Sequence, residues 1–84
     1  MALYFFHLVD GADLLLDPDG REIDPGSVHA AALAEARAMI AADARVGHIR
    51  LDQRIDVNDA GGTTVCSVPF EDALKITPSA MGGH

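Results

Sequence analysis

The chain has 84 residues, 49% of them hydrophobic, yet 14 are alanine and only four are Phe or Tyr, so one core of modest bulk is the most it can build. Six basic residues against thirteen acidic give a net charge of −7 and a pI near 4.7, which excludes general nucleic-acid binding because that needs a basic face. A single cysteine, Cys66, excludes an internal disulfide framework, no apolar run approaches the ~20 residues of a membrane span, and the first residues lack the basic flank of a secretory leader.

In chain order, Leu3–Val9 reads as a strand: it is aromatic and aliphatic, holds no Gly or Pro, and stops at the turn signal Asp10-Gly11. Asp13–Leu16 follows as a short antiparallel partner and closes at Asp17-Pro18-Asp19-Gly20. Pro second and Gly fourth suit a type I turn, with the Asp17 carboxylate able to accept backbone N–H groups. Arg21–Ile23 can resume an extended path. Ser27–Val46 contains no Pro or Gly and predicts a helix with Ser27 as N-cap and Gly47 as the left-handed residue past its end. A rival start has Asp24 as cap and Pro25 as first helical residue; Gly26 would weaken that first turn, so Ser27 is preferred. At 100° per residue Val28, Ala32, Ala36, Met39, Ile40 and Val46 share one side, with Asp43 the misfit among them. Alternation becomes clear at Arg54–Asn58. The loop Asp59–Gly62 and the β-branched run Thr63–Val68 complete a second hairpin. Phe70–Ile76 reads as a helical turn or an irregular edge, and Thr77–His84 as a loose tail.

The expected architecture is α+β: a two-layer ββαββ domain over residues 1–76, with a four-stranded, mostly antiparallel sheet and one Ala-rich helix on one face. One helix leaves the other face open. In the first strand Tyr4, Phe6 and Leu8 oppose Leu3, Phe5, His7 and Val9, and both sets are apolar where a half-solvated strand alternates. The face of Leu3, Phe5, His7 and Val9 is therefore the candidate interaction surface, and a homodimer through this open face or through an edge strand is expected. A covering C-terminal segment around Phe70 and Leu74 is the alternative.

The strand Tyr4-Phe5-Phe6-His7-Leu8 followed by Asp10-Gly11 is similar to the opening of an uncharacterised family of small bacterial proteins. Those proteins continue with an Ala- and Glu-rich helix and a C-terminal hairpin, here Arg54–Asp59, Gly61-Gly62 and Val65–Phe70. The resemblance spans about residues 1–76. It implies the existence and order of the elements and no activity, since the family is a domain of unknown function. Leu3 and Val9 stand where relatives more often carry charge, and Ser79–His84 has no counterpart.

Few constellations point to chemistry. His7, His29, His48 and His84 lie far apart with no metal-ligand spacing. His7, mid-strand beside Phe5, is either a general base or metal ligand on the open face or an interface or structural histidine bonded to a neighbour, and the structural reading is preferred. Asp10, Asp13, Asp17 and Asp19 lack the remaining oxygens of a calcium loop and suit turns instead. Cys66 has no partner in sequence and reads as a packed side chain. The preferred function is a small cytoplasmic, self-associating protein-interaction module rather than an enzyme, with a basic protein surface as partner. Neither cofactor nor metal, nucleic acid nor membrane is expected. The alternative is an antitoxin-like regulator. More remote are an enzyme centred on His7 and a ubiquitin-like modifier ending in Gly82-Gly83.

Overall fold

A computed structural model describes residues 1–75. The strands are β1 (Ala2–Asp10), β2 (Asp13–Leu15), β3 (Arg21–Ile23), β4 (Gln53–Asp59) and β5 (Thr64–Pro69), and the helices are α1 (Val28–Arg45) and the single turn α2 (Phe70–Ala73). The fold is α+β: an open antiparallel sheet in the order β2-β1-β4-β5, with β3 also paired to β1. β2 and β3 share one side of β1, β2 at residues 8–10 and β3 at residues 2–4. The five strands therefore occupy four positions. The excursion Leu16–Gly20 interrupts what would otherwise be one long edge strand.

The first hairpin turns at Gly11, whose φ of 60° no β-branched residue would adopt. In the second turn Asp17 Oδ1 accepts the N–H groups of Asp19 and Gly20, as its sequence suggests. The helix start combines both sequence readings. Pro25–Ser27 forms a 3-10 turn capped by Asp24, whose side chain accepts from Gly26 N, and α1 begins at Val28 with no side-chain bond from Ser27. The expectation of a Ser27 cap is thus corrected. The carboxylate of Asp24 reaches the free N–H ahead of it, and the 3-10 turn has already used Ser27 N to bond Asp24 O. At the other end Gly47 N bonds Ala44 O and His48 N bonds Asp43 O, the paired bonds of a Schellman motif.

α1 lies over β4 and β5. Val28, Ala32, Ala36 and Ile40 are buried against Tyr4, Phe6, Leu8, Ile55, Val57 and Val68. Alanine on the helix permits close approach, and the strands supply the bulk. Val46, expected on the same side, is 79% exposed, because the burial ends at Ile40 and the last turns project past the sheet. Asp43, out of place on an apolar side, is only half-buried there.

The C-terminal segment forms α2 and packs on the helical side of the sheet. Phe70 is fully buried in the core and Arg37 Nε donates to Ala73 O at 2.8 Å. This excludes the alternative in which Phe70 and Leu74 cover the opposite face. Pro69 turns the chain toward α1, where the aromatic ring fills space that alanines leave empty. Within β5 a bulge between Asn58 and Val57 of the partner strand puts Thr64 opposite Asn58 and Cys66 opposite Val57. Thr64 therefore lies on the face of Ser67, against simple alternation, because the extra residue Val65 reverses the phase. No helix of the described residues is long and apolar enough to cross a membrane.

Candidate functional site

Register places Leu3, Phe5, His7 and Val9 together on the face away from α1, each half-buried. Leu14 extends the row from β2 opposite Val9 and is 55% exposed. On the other side of β1 the same face turns polar. β4 brings Arg54, Asp56 and Asn58 opposite Val9, His7 and Phe5, and β5 adds Ser67 and Thr64. These groups satisfy one another: Asp56 Oδ1 accepts from Arg54 Nε at 3.0 Å and Ser67 Oγ at 2.6 Å, and Asn58 Oδ1 accepts from Thr64 Oγ1.

His7 is a structural histidine by its bonds. Its Nδ1 accepts the Asp17 N–H at 3.0 Å and its ring lies 13° from parallel to Phe5. In the neutral ring that acceptor role puts the proton on Nε2. The carboxylate opposite, Asp56, is engaged by Arg54 and Ser67 rather than by the imidazole, and His7 lines neither of the two cavities on the helical side.

Sequence reasoning missed the bridge that holds this row in place. Between β2 and β3 the ladder of β1 lacks a partner strand, and Asp17 fills the gap. Its Oδ2 accepts Phe6 N–H at 3.1 Å while its own N–H goes to His7. Burial pushes the Asp17 carboxyl up, but the N–H groups of Phe6, Gly20 and Asp19, with the charge of Arg21, outweigh it and hold the group below its ordinary value. Gly20, at φ 68°, lies under Leu3 and Phe5, so a Cβ there would come within 2.9 Å of Tyr4 O and 3.0 Å of the Phe5 ring. The partial burial of the two side chains on the open face comes in part from this glycine.

Two cavities lie on the helical side. One, about 240 Å³, runs between α1 and β2 over Phe6, Leu8 and Ile55. At its end Arg21 Nη2 pairs with Glu35 Oε2 at 3.0 Å, and the guanidinium carbon stands 4.2 Å from the Phe6 ring centroid. The other, about 470 Å³, lies at the start of α1 and includes Tyr4, His29 and Cys66. Cys66 points to the core side opposite Val57, and burial pushes its thiol up, away from reactivity. Asp10 accepts two bonds from Arg50, at 3.0 and 2.5 Å, whose guanidinium that hydrogen-bonded charge holds above its ordinary value. Among the described residues no three His, Cys, Asp or Glu side chains converge as metal ligands. His84 and Gly82-Gly83 lie outside the described residues.

The family model described as Domain of unknown function (DUF6894) matches residues 3–71. That stretch includes the opening strand, the helix and the second hairpin on which the sequence resemblance rested. Comparison with curated proteins and with solved structures returned no match.

Proposed function

We propose a binding role for this chain, which belongs to the Domain of unknown function (DUF6894) family: it is an interaction module that self-associates through the open face of its sheet. The observation that carries this reading is one row of side chains. Leu3, Phe5 and Val9 of β1 and Leu14 of β2 line a face against which no described helix packs and which only the Asp17–Gly20 turn reaches, at Leu3, Phe5 and His7. A sheet face exposed to water ordinarily becomes polar along each strand, and along β1 this one does not.

Charge favours a second copy as the occupant. The charged strand residues on that face are Glu22, Arg54 and Asp56, so −1 + 1 − 1 gives −1, against −7 for the whole chain. Repulsion between two acidic copies is smallest where their charge is lowest. The polar half of the face is already hydrogen-bonded within the chain, so covering it strands few groups. Strand addition at an edge is less suited. β5 carries a bulge at one end and Pro69 at the other, and the opposite edge is broken by the Asp17 excursion. Face packing of two sheets meets neither obstacle. The charge on the rest of the molecule steers a basic partner toward it.

Light scattering on a sizing column over a concentration series tests the reading. The wild-type chain should approach twice its 8.8 kDa, and Val9→Asp should return it to the monomer mass with its circular dichroism intact. Phe5→Asp should do the same, although Phe5 also packs on Gly20. A wild-type chain that stays at 8.8 kDa at high concentration, or a dimer indifferent to both variants, overturns it.

A further inference from the structure

The helical side of the sheet is left uncovered at its β2 edge. Strands lie about 4.8 Å apart and a helix with its side chains is about 10 Å across, so one helix covers about two strands. α1 takes β4 and β5. Leu15 pairs with Leu8 and therefore points to this same side, yet it is 62% exposed and Leu16 beside it is 65% exposed. Between these leucines and Met39 of α1 runs the groove of about 240 Å³ with its floor of Phe6, Leu8 and Ile55. The helix wall continues beyond it, because Glu35, Met39 and Val46 follow one another at helical spacing and Val46 is 79% exposed.

The rim is acidic. Asp13 has the parity of Leu15 and lies on its side of β2, Asp17 and Glu35 line the groove, and Asp43 follows Met39 by one turn. Against these four carboxylates stands Arg21, giving −4 + 1, or −3, and Arg21 is already paired with Glu35.

We propose that this groove docks an amphipathic helix of a partner protein, with leucine-like side chains toward Leu15, Leu16 and Met39 and basic residues toward the rim. A second copy is the poorer occupant. The apolar side chains of its own helix, Val28, Ala32, Ala36 and Ile40, are buried in its own core, and it would bring further carboxylates to an acidic rim. The proposal rests on the reading of the chain as a binding module but not on its self-association, which uses the opposite face.

The probe is a synthetic peptide of about 18 residues, the length of α1, with Leu at every third or fourth position and Lys elsewhere. A second peptide has Glu for Lys. Titration is followed by methyl NMR at about 0.15 M salt, with light scattering in parallel. The Lys peptide should shift the methyl groups of Leu15, Leu16 and Met39, and the Glu peptide should not bind. The double variant Leu15→Ser/Leu16→Ser removes only exposed side chains and should weaken binding about tenfold or more, whereas Val9→Asp on the open face should change it by less than about twofold. Met39→Lys should weaken it through the opposite wall. Shifts absent from those methyls, or equal binding by the double variant, would mark mere charge attraction and overturn the proposal. So would a dimer that the double variant splits, since the groove would then belong to a second copy. A failed dimer with intact peptide binding overturns self-association alone.

Discussion

At the scale of single residues, Asp17 joins three parts of the chain. Its carboxylate accepts N–H groups from Phe6, Asp19 and Gly20, and its own N–H goes to His7. Removing the carboxylate leaves the half-buried Phe6 N–H without a partner, and hydrogen bonds to charged acceptors contribute about 1.5–3 kcal/mol. Asp17→Ala should therefore lower stability by about 2 kcal/mol in urea unfolding, with Asp17→Asn losing less because its amide oxygen still accepts. The same group sets a pH dependence. Its folded value lies below the ordinary carboxylate value, so its contribution is complete above the unfolded value of about 3.9 and is lost as pH falls through the lower folded value. Stability measured from pH 5 downward should fall less steeply in Asp17→Ala than in the wild type. Half of this role was legible: Asp-Pro-Asp-Gly announces a turn with a carboxylate bonded back to it. The bond to Phe6 was not, because its partner is 11 residues away and becomes a neighbour only when β1 and the excursion are side by side.

At the scale of elements, the two hairpins and the helix follow from local chemistry, and their ends follow from caps. Gly47 at φ 80° ends α1 as its position after an unbroken helical run predicts. The single turn α2 is different. Four residues have no stability of their own as a helix, and α2 exists because Phe70 and Ala73 are buried against α1 while Arg37 bonds its last carbonyl. Phe70 has no exposed surface, so Phe70→Ala should cost about 3–5 kcal/mol. In a chain this small that loss should appear as a low urea midpoint or as failure to fold. A loss below about 1 kcal/mol would place the ring outside the core. The sequence left this segment between helix and edge because an aromatic after proline is equally at home in either. The bulge at Val65 was likewise invisible, since it depends on the register of β5 against β4.

At the scale of the whole molecule, the charge and the apolar surface are distributed unequally. Three consecutive leucines protrude from the β2 edge, one on the open face and one on the helical face within the strand, with Leu16 beyond it. Most of the formal charge of −7 lies away from the open face. The two proposed contacts therefore respond to salt with opposite signs. Raising ionic strength from about 0.01 to about 0.15 M shortens the screening length from about 30 to about 8 Å. Self-association of two acidic copies should tighten over that range in sedimentation equilibrium, while the Lys peptide should bind more weakly. Self-association that weakens with salt would mean that ion pairs between copies hold it together.

The sequence by itself determined the α+β class, the order of the elements and which residues share a face of β1, because periodicity, turn residues and caps act over a few positions. It also determined that Leu3, Phe5, His7 and Val9 form one surface, which follows from the two-residue repeat of a strand. Only the tertiary structure decided that α1 sits over β4 and β5, that Phe70 closes the helical side, and that Asp17 bridges to Phe6 and His7. Those outcomes depend on contacts between residues far apart in the chain, where shape, space left by alanine and unsatisfied N–H groups choose the neighbour.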